Sequence, residues 1–122
     1  MASVTWRTLT VEADGTLSSS PSPMHGETGD GIAWFVNNLS AVTVKVKIKD
    51  FKRKSNGRAI SPVDFLVQRC TVDPGTFPGL IIGQITLLPS SGAILTKYTI
   101  EVKSSLLNRD YDPDLEVERP PN

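Results

Sequence analysis

The chain has 122 residues, no net charge at neutral pH, and hydrophobic and charged fractions of 39% and 21%. These are the proportions of a folded soluble domain rather than a disordered chain, and a chain of this length buries roughly two-thirds of its unfolded surface, so one domain spanning 1–122 can rest on an apolar core alone. They exclude a global pull toward nucleic acid or anionic membrane, and the lone Cys70 excludes an intramolecular disulfide or a multi-cysteine metal centre. No apolar run approaches the ~18 residues that span a bilayer, and MASVTWRTLTVEADG lacks the charged-then-apolar layout of a secretory signal. The expected location is the cytoplasm, without membrane association.

In chain order, Ser3 to Val11 reads as a first strand, with Val4, Trp6, Leu9 and Val11 apolar and three β-branched threonines between them. Asp14-Gly15 is a turn signal, and the Ser/Pro/Gly-rich stretch after it reads as a surface loop closed by Gly29-Asp30-Gly31. The central stretch is Gly29 to Asp50. In it Ile32, Trp34 and Val36 alternate with Ala33 and Phe35; a polar corner follows at Asn37 to Ser40; then Val42, Val44, Val46 and Ile48 fall on one side and Thr43, Lys45, Lys47 and Lys49 on the other. Successive strand side chains point to opposite faces, so the second half of this stretch has one apolar and one cationic face. Asn56-Gly57 and Ser61-Pro62 punctuate the next segment. Val63 to Thr71 reads as one short strand, Val72 to Gly79 as a loop with two Pro-Gly pairs, and LIIGQITLL as a buried strand. Ile94 to Lys103 and Tyr111 to Val117 complete the set.

Seven or eight short strands with turn signals at roughly ten-residue spacing predict an all-β, two-sheet Greek-key sandwich. Trp6, Ile32, Trp34, Val44, Val46, Ile48, Ile85, Leu87, Tyr98, Ile100 and Leu115 are the expected core. GDGIAWFVNNLSAVTVKV resembles the cupredoxin pattern Gly-Asp-x-(Val/Ile)-x-Trp-x-Asn. LLPSSGAILTKYTIEV resembles the later part of that fold, and DYDPDLEVE resembles the tail of small cupredoxin-like bacterial proteins that carry no metal. Together these cover about two-thirds of the chain and imply a copper-free cupredoxin-like sandwich. Immunoglobulin-like and fibronectin-like sandwiches use the same local signals, although the Cys-Trp-Cys arrangement of true immunoglobulin domains is missing.

A blue-copper site needs two His, a Cys thiolate and a weak axial ligand. The positions that the resemblance implies for the first His hold Ala41-Val42-Thr43-Val44, and Ser104 to Asn108 offers neither the second His nor the Cys. The expectation is therefore no cofactor and no metal. His25 reads as a solvated loop histidine and Cys70 as a half-buried structural side chain; neither has the partner that nucleophilic catalysis requires. No glycine-rich phosphate loop precedes a helix. The alternating carboxylates Asp110, Asp112, Asp114, Glu116 and Glu118 read as a solvated edge-strand face rather than a calcium loop.

Two features remain as candidates for function. One is the basic hairpin: Lys45, Lys47, Lys49, Lys52, Arg53, Lys54 and Arg58, suited to phosphates but with only Phe51 as an interleaved aromatic. The other is the acidic docking face of Asp110, Asp112, Asp114 and Glu116, which the basic hairpin can meet within one molecule or between molecules. The expected role is a non-catalytic interaction or assembly module with a protein partner or a second copy, binding through its charged faces and the loops Pro21 to Gly31 and Asp73 to Gly79. Polyanion or nucleic-acid binding through Lys45 to Arg58 is the alternative.

Overall fold

The structure, a computed structural model, describes residues 3–18 and 23–121. Among these it is all-β, without a helix, and its two sheets pack face to face. The strands are β1 (Val4–Val11), β2 (Met24–Glu27), β3 (Gly31–Asn38), β4 (Val44–Arg53), β5 (Val63–Val67), β6 (Arg69–Val72), β7 (Gly79–Ile85), β8 (Ala93–Lys103), β9 (Asn108–Tyr111) and β10 (Asp114–Glu118). One sheet has the order β1-β3-β7-β5; the other has the order β2-β10-β8-β4-β6, with β9 also paired to β8. Two ladders are parallel, β1 with β3 and β2 with β10.

The strand count exceeds the expected seven or eight because one expected loop contains a strand and two expected strands divide. The loop expected over Pro21 to Gly31 contains β2, while residues 19–22 lie outside the described set. The single strand expected over Val63 to Thr71 is two strands, β5 in one sheet and β6 in the other, with the chain crossing between sheets at Gln68. The strand expected over Tyr111 to Val117 breaks at Asp112-Pro113. Proline has no N–H for the ladder, and here its carbonyl accepts from the Tyr98 N–H at 3.0 Å instead.

The core follows the alternation closely. Ile32, Trp34, Val44, Val46, Ile48, Ile85, Ile100 and Leu115 are fully buried, Tyr98 is nearly so, and Leu87 packs half-buried against them. An aromatic group fills the centre: Phe51 stacks on Tyr98 with centroids 5.1 Å apart, Trp34 stacks on Phe65 at 6.0 Å, and Trp34 meets Tyr98 edge-on at 5.6 Å. Trp34 Nε1 donates to the Tyr98 hydroxyl at 3.2 Å, and that hydroxyl donates to Met24 Sδ at 3.4 Å. The buried polar atoms of both rings are thereby satisfied. Trp6 departs from the expected core: it is 56% exposed on the outer side of β1.

Side-chain chemistry at the corners explains how the chain changes sheets. Asn38 Nδ2 donates to the carbonyls of Val42 (2.7 Å) and Val72 (2.9 Å), and its Oδ1 accepts from Ser40 N (3.0 Å) and Ser40 Oγ (2.6 Å). One asparagine thus closes the β3–β4 corner and ties it to the end of β6. Asp30 does the same at the other end, its carboxylate accepting from Ser3 N at 3.0 Å and Glu27 N at 2.9 Å. Within β4, Asp50 adopts a left-handed φ of 57° and forms a bulge: Lys49 pairs with Thr99 and Lys52 with Lys97, so Asp50 and Phe51 together oppose Tyr98. The extra residue reverses the alternation. Phe51 turns inward while Lys52 and Lys54 stay outward beside the earlier lysines.

Candidate protein-binding face

The outer face of the β1-β3-β7-β5 sheet carries an apolar patch open to solvent. In β3 the odd positions Ala33 and Phe35 are as apolar as the even ones that fill the core, so both faces of this strand are built for burial. The ladders set Trp6 beside Ala33, Ala33 beside Ile82, and Ile82 beside Val67. That row crosses all four strands without a polar side chain. A second row sets Thr8, Phe35 and Leu80 side by side, and a third runs from Val4 through Gly31 to the polar Gln84 and Asp64 at the edge of the patch. Val4, Trp6, Phe35, Val67 and Leu80 are between 38% and 62% exposed, and Trp6 meets Phe35 edge-on with centroids 5.9 Å apart. Phe77, 93% exposed, stands in the loop leading into β7. Apolar surface gathered on one sheet face in this way is characteristic of a protein-docking surface, unlike single apolar residues scattered over a surface.

The second sheet presents the opposite chemistry. Lys45, Lys47, Lys49 and Lys52 project from the outer side of β4, Lys54 follows just past its end, and Arg69 joins them from β6, where it pairs with Lys47. Part of this charge is internally matched. Lys49 and Lys103 both engage the Glu101 carboxylate of β8, and Lys54 pairs with Asp114 at 2.7 Å. The Lys49 contact holds the Glu101 carboxyl below its ordinary value and lifts the Lys49 ammonium above its own. Arg53 bonds through its backbone to Arg58 across the Asn56-Gly57 turn, leaving both side chains at the tip.

The expected acidic face is divided between elements. Asp110 lies on β9 opposite Glu101; Asp112 sits in the break and accepts from Thr99 Oγ1 at 2.8 Å; Asp114 and Glu116 lie on β10. Basic and acidic residues thus occupy one outer face, separated by β8 and bridged by the pairs above. Cys70 is half-buried on β6, and loss of solvent pushes its thiol up to about 11. Among the described residues, no helix is long and apolar enough to cross a membrane.

Sequence reasoning missed the apolar face because it placed Trp6 in the core and read only one side of β3. The signal was present in GIAWF and LII, where apolar residues occupy both parities.

No protein-family model matches this chain, and no curated protein sequence matches it. Solved structures do match in fold. One is the CsuC–CsuE chaperone–tip adhesion subunit pre-assembly complex from archaic chaperone-usher Csu pili of Acinetobacter baumannii, with TM-score 0.62 and 13% identity over 83% of this chain and 50% of that one. The periplasmic chaperone SfaE gives TM-score 0.62 and 6% identity over 84% of this chain and 56% of that one. The Escherichia coli chaperone DraB gives 0.61 and 11% over 96% and 58%. This chain spans little more than half the length of the chains it matches, and the likeness is one of fold.

Two expectations are corrected by this comparison. These three structures are of chaperones, one of them in a chaperone-usher pilus pre-assembly complex, and not of cupredoxins, so the cupredoxin resemblance does not hold. Its motifs report needs common to many sandwiches: an Asp30-held turn, a buried Trp34, an Asn38 corner and a proline break before the last strand. The cytoplasmic location is likewise overturned, since the fold is that of periplasmic chaperones. A lone cysteine and balanced charge suit periplasmic surroundings as well as cytoplasmic ones.

Proposed function

We propose that this chain is a non-catalytic protein-binding module, one domain across 1–122, whose docking surface is the outer face of the β1-β3-β7-β5 sheet. The observation that carries the reading is the apolar row Trp6, Ala33, Ile82, Val67, flanked by Phe35 and Leu80, on a sheet face that no element of the chain covers among the described residues. Solvent exposure of so many large side chains is costly, and a partner's apolar surface removes that cost. The fold lends support: one structure that shares it is a chaperone–subunit pre-assembly complex. The partner that fits is a protein presenting an apolar strand or sheet surface. The charged face of the other sheet then sets orientation and encounter rate more than affinity.

The test compares three proteins in one capture experiment: wild type, Trp6→Ser/Phe35→Ser, and Lys45→Glu/Lys47→Glu/Lys49→Glu. A partner held at fixed ratio by wild type and by the lysine variant, but lost with the Trp6/Phe35 variant, supports the reading. A partner lost only with the lysine variant, or one that nuclease removes, overturns it.

A further inference from the structure

We propose that His25, Glu116 and Glu118 form a binding site for a divalent transition-metal ion, Zn²⁺ in the first instance, that fastens β2 to β10. The parallel ladder sets Leu115 beside Met24, Glu116 beside His25, Val117 beside Gly26 and Glu118 beside Glu27. Because strand side chains alternate, Met24, Leu115 and Val117 enter the core, and His25, Glu27, Glu116 and Glu118 share the outer side. One imidazole nitrogen and one oxygen from each of Glu116 and Glu118 lie within 4.8 Å of one another. Ligands at about 2.1 Å from a common ion stand no more than about 4.2 Å apart, so small side-chain rotations complete the arrangement.

Charge points the same way. Glu118 and Glu27 are direct cross-strand neighbours, and like charges so placed repel. Among the described residues the lysine ion pairs reach Glu101 and Asp114 and none reaches Glu27, Glu116 or Glu118. A dication neutralises this surplus. One imidazole with two carboxylates suits Zn²⁺ and its neighbours in the first transition row, whereas Ca²⁺ takes six to eight oxygens. Water fills the remaining positions. The consequence is mechanical: β2 is a four-residue edge strand paired only with β10, and an ion bonded to both strands cross-links them. Binding to the folded state alone stabilises it by mass action.

The experiment titrates untagged full-length protein with Zn²⁺ by calorimetry, in wild type, His25→Gln, Glu116→Gln/Glu118→Gln and Cys70→Ser. One ion per chain is expected in wild type and Cys70→Ser, with at least tenfold weaker binding in the other two. His25 is the chain's only histidine, so its ring nitrogens also report on the site in the unmodified protein by nuclear magnetic resonance. They must shift with Zn²⁺, and amide exchange in Met24–Glu27 must slow. Absence of binding, binding undiminished in His25→Gln, or a ring that Zn²⁺ leaves unshifted each overturns the site.

Discussion

Trp6 and Phe35 meet edge to face on the outside of the sandwich, centroids 5.9 Å apart and planes at 84°, while Trp34, the neighbour of Phe35, is wholly buried on the inside. The two tryptophans of the chain therefore have opposite duties. Trp34→Ala removes a packed ring and is expected to cost about 3–5 kcal/mol. Trp6→Ser, at a position 56% exposed, is expected to cost no more than about 1 kcal/mol. Urea denaturation of both variants measures the contrast. Binding of an apolar fluorescent dye to the native protein should fall in Trp6→Ser/Phe35→Ser. A Trp6 variant as unstable as the Trp34 variant would return Trp6 to the core.

Tyr98 gives the fold an alkaline limit. Burial pushes its hydroxyl from the ordinary 10 up to about 12, against the smaller opposing effect of the hydrogen bond from Trp34. The unfolded chain releases this proton near pH 10 and the folded chain keeps it to about 12. Stability from this group is therefore complete below pH 10 and is lost between pH 10 and about 12. The loss is on the order of 2–3 kcal/mol for a shift of two units. Tyr98→Phe should flatten the stability profile in that window. At neutral pH it should cost about 1–3 kcal/mol, because Trp34 Nε1 loses its buried acceptor. Equilibrium unfolding of both proteins from pH 8 to 12 decides it.

The elements that could be read from the sequence were those with one buried face. In β4 the valines and lysines alternate because one side meets the core and the other meets water, so its core set and its basic face were both recoverable. The same argument failed for β3 and β7. Ile32, Trp34 and Val36 advertise a core, but Ala33 and Phe35 leave no polar side to mark solvent. Strand breaks at Gln68 and Asp112-Pro113 were also hidden, because the extended backbone and its alternation persist through both, whether the chain crosses between sheets, as at Gln68, or continues along β8 in the same sheet, as at Asp112-Pro113. The grouping of His25 with Glu116 and Glu118 depends on a parallel pairing of residues some ninety positions apart, which no local pattern encodes.

Cys70 should be a sluggish thiol. Desolvation raises it from the ordinary 9.0 to about 11, so at pH 8 its thiolate population is roughly a hundredfold smaller than that of the unfolded chain. Reaction with a thiol reagent should be slower in the native protein by about that factor, and urea should abolish the difference. Equal rates would mean that the β6 edge opens readily. Gly79 shares this packing, since an added Cβ would lie 2.7 Å from Cys70 Sγ and 2.5 Å from Val72 Cγ2. Gly79→Ala should destabilise by about 1–3 kcal/mol.

The bulge at Asp50 decides which way the second half of β4 faces. Its φ of 57° is tolerated by Asp and Gly and resisted by β-branched side chains. Asp50→Gly should leave stability within about 0.5 kcal/mol of wild type, as relief of strain offsets the greater freedom of the unfolded chain. Asp50→Val should cost about 1–2 kcal/mol. Deletion of Asp50 takes out the extra residue and leaves Lys49, Phe51 and Lys52 in plain alternation opposite Thr99, Tyr98 and Lys97. Phe51 then keeps its stack on Tyr98 and Lys52 stays outward. Retention of near-ultraviolet circular dichroism in both the deletion and Asp50→Gly is the expected result. Loss of the aromatic signal in the deletion would show that the bulge itself holds Phe51 against Tyr98.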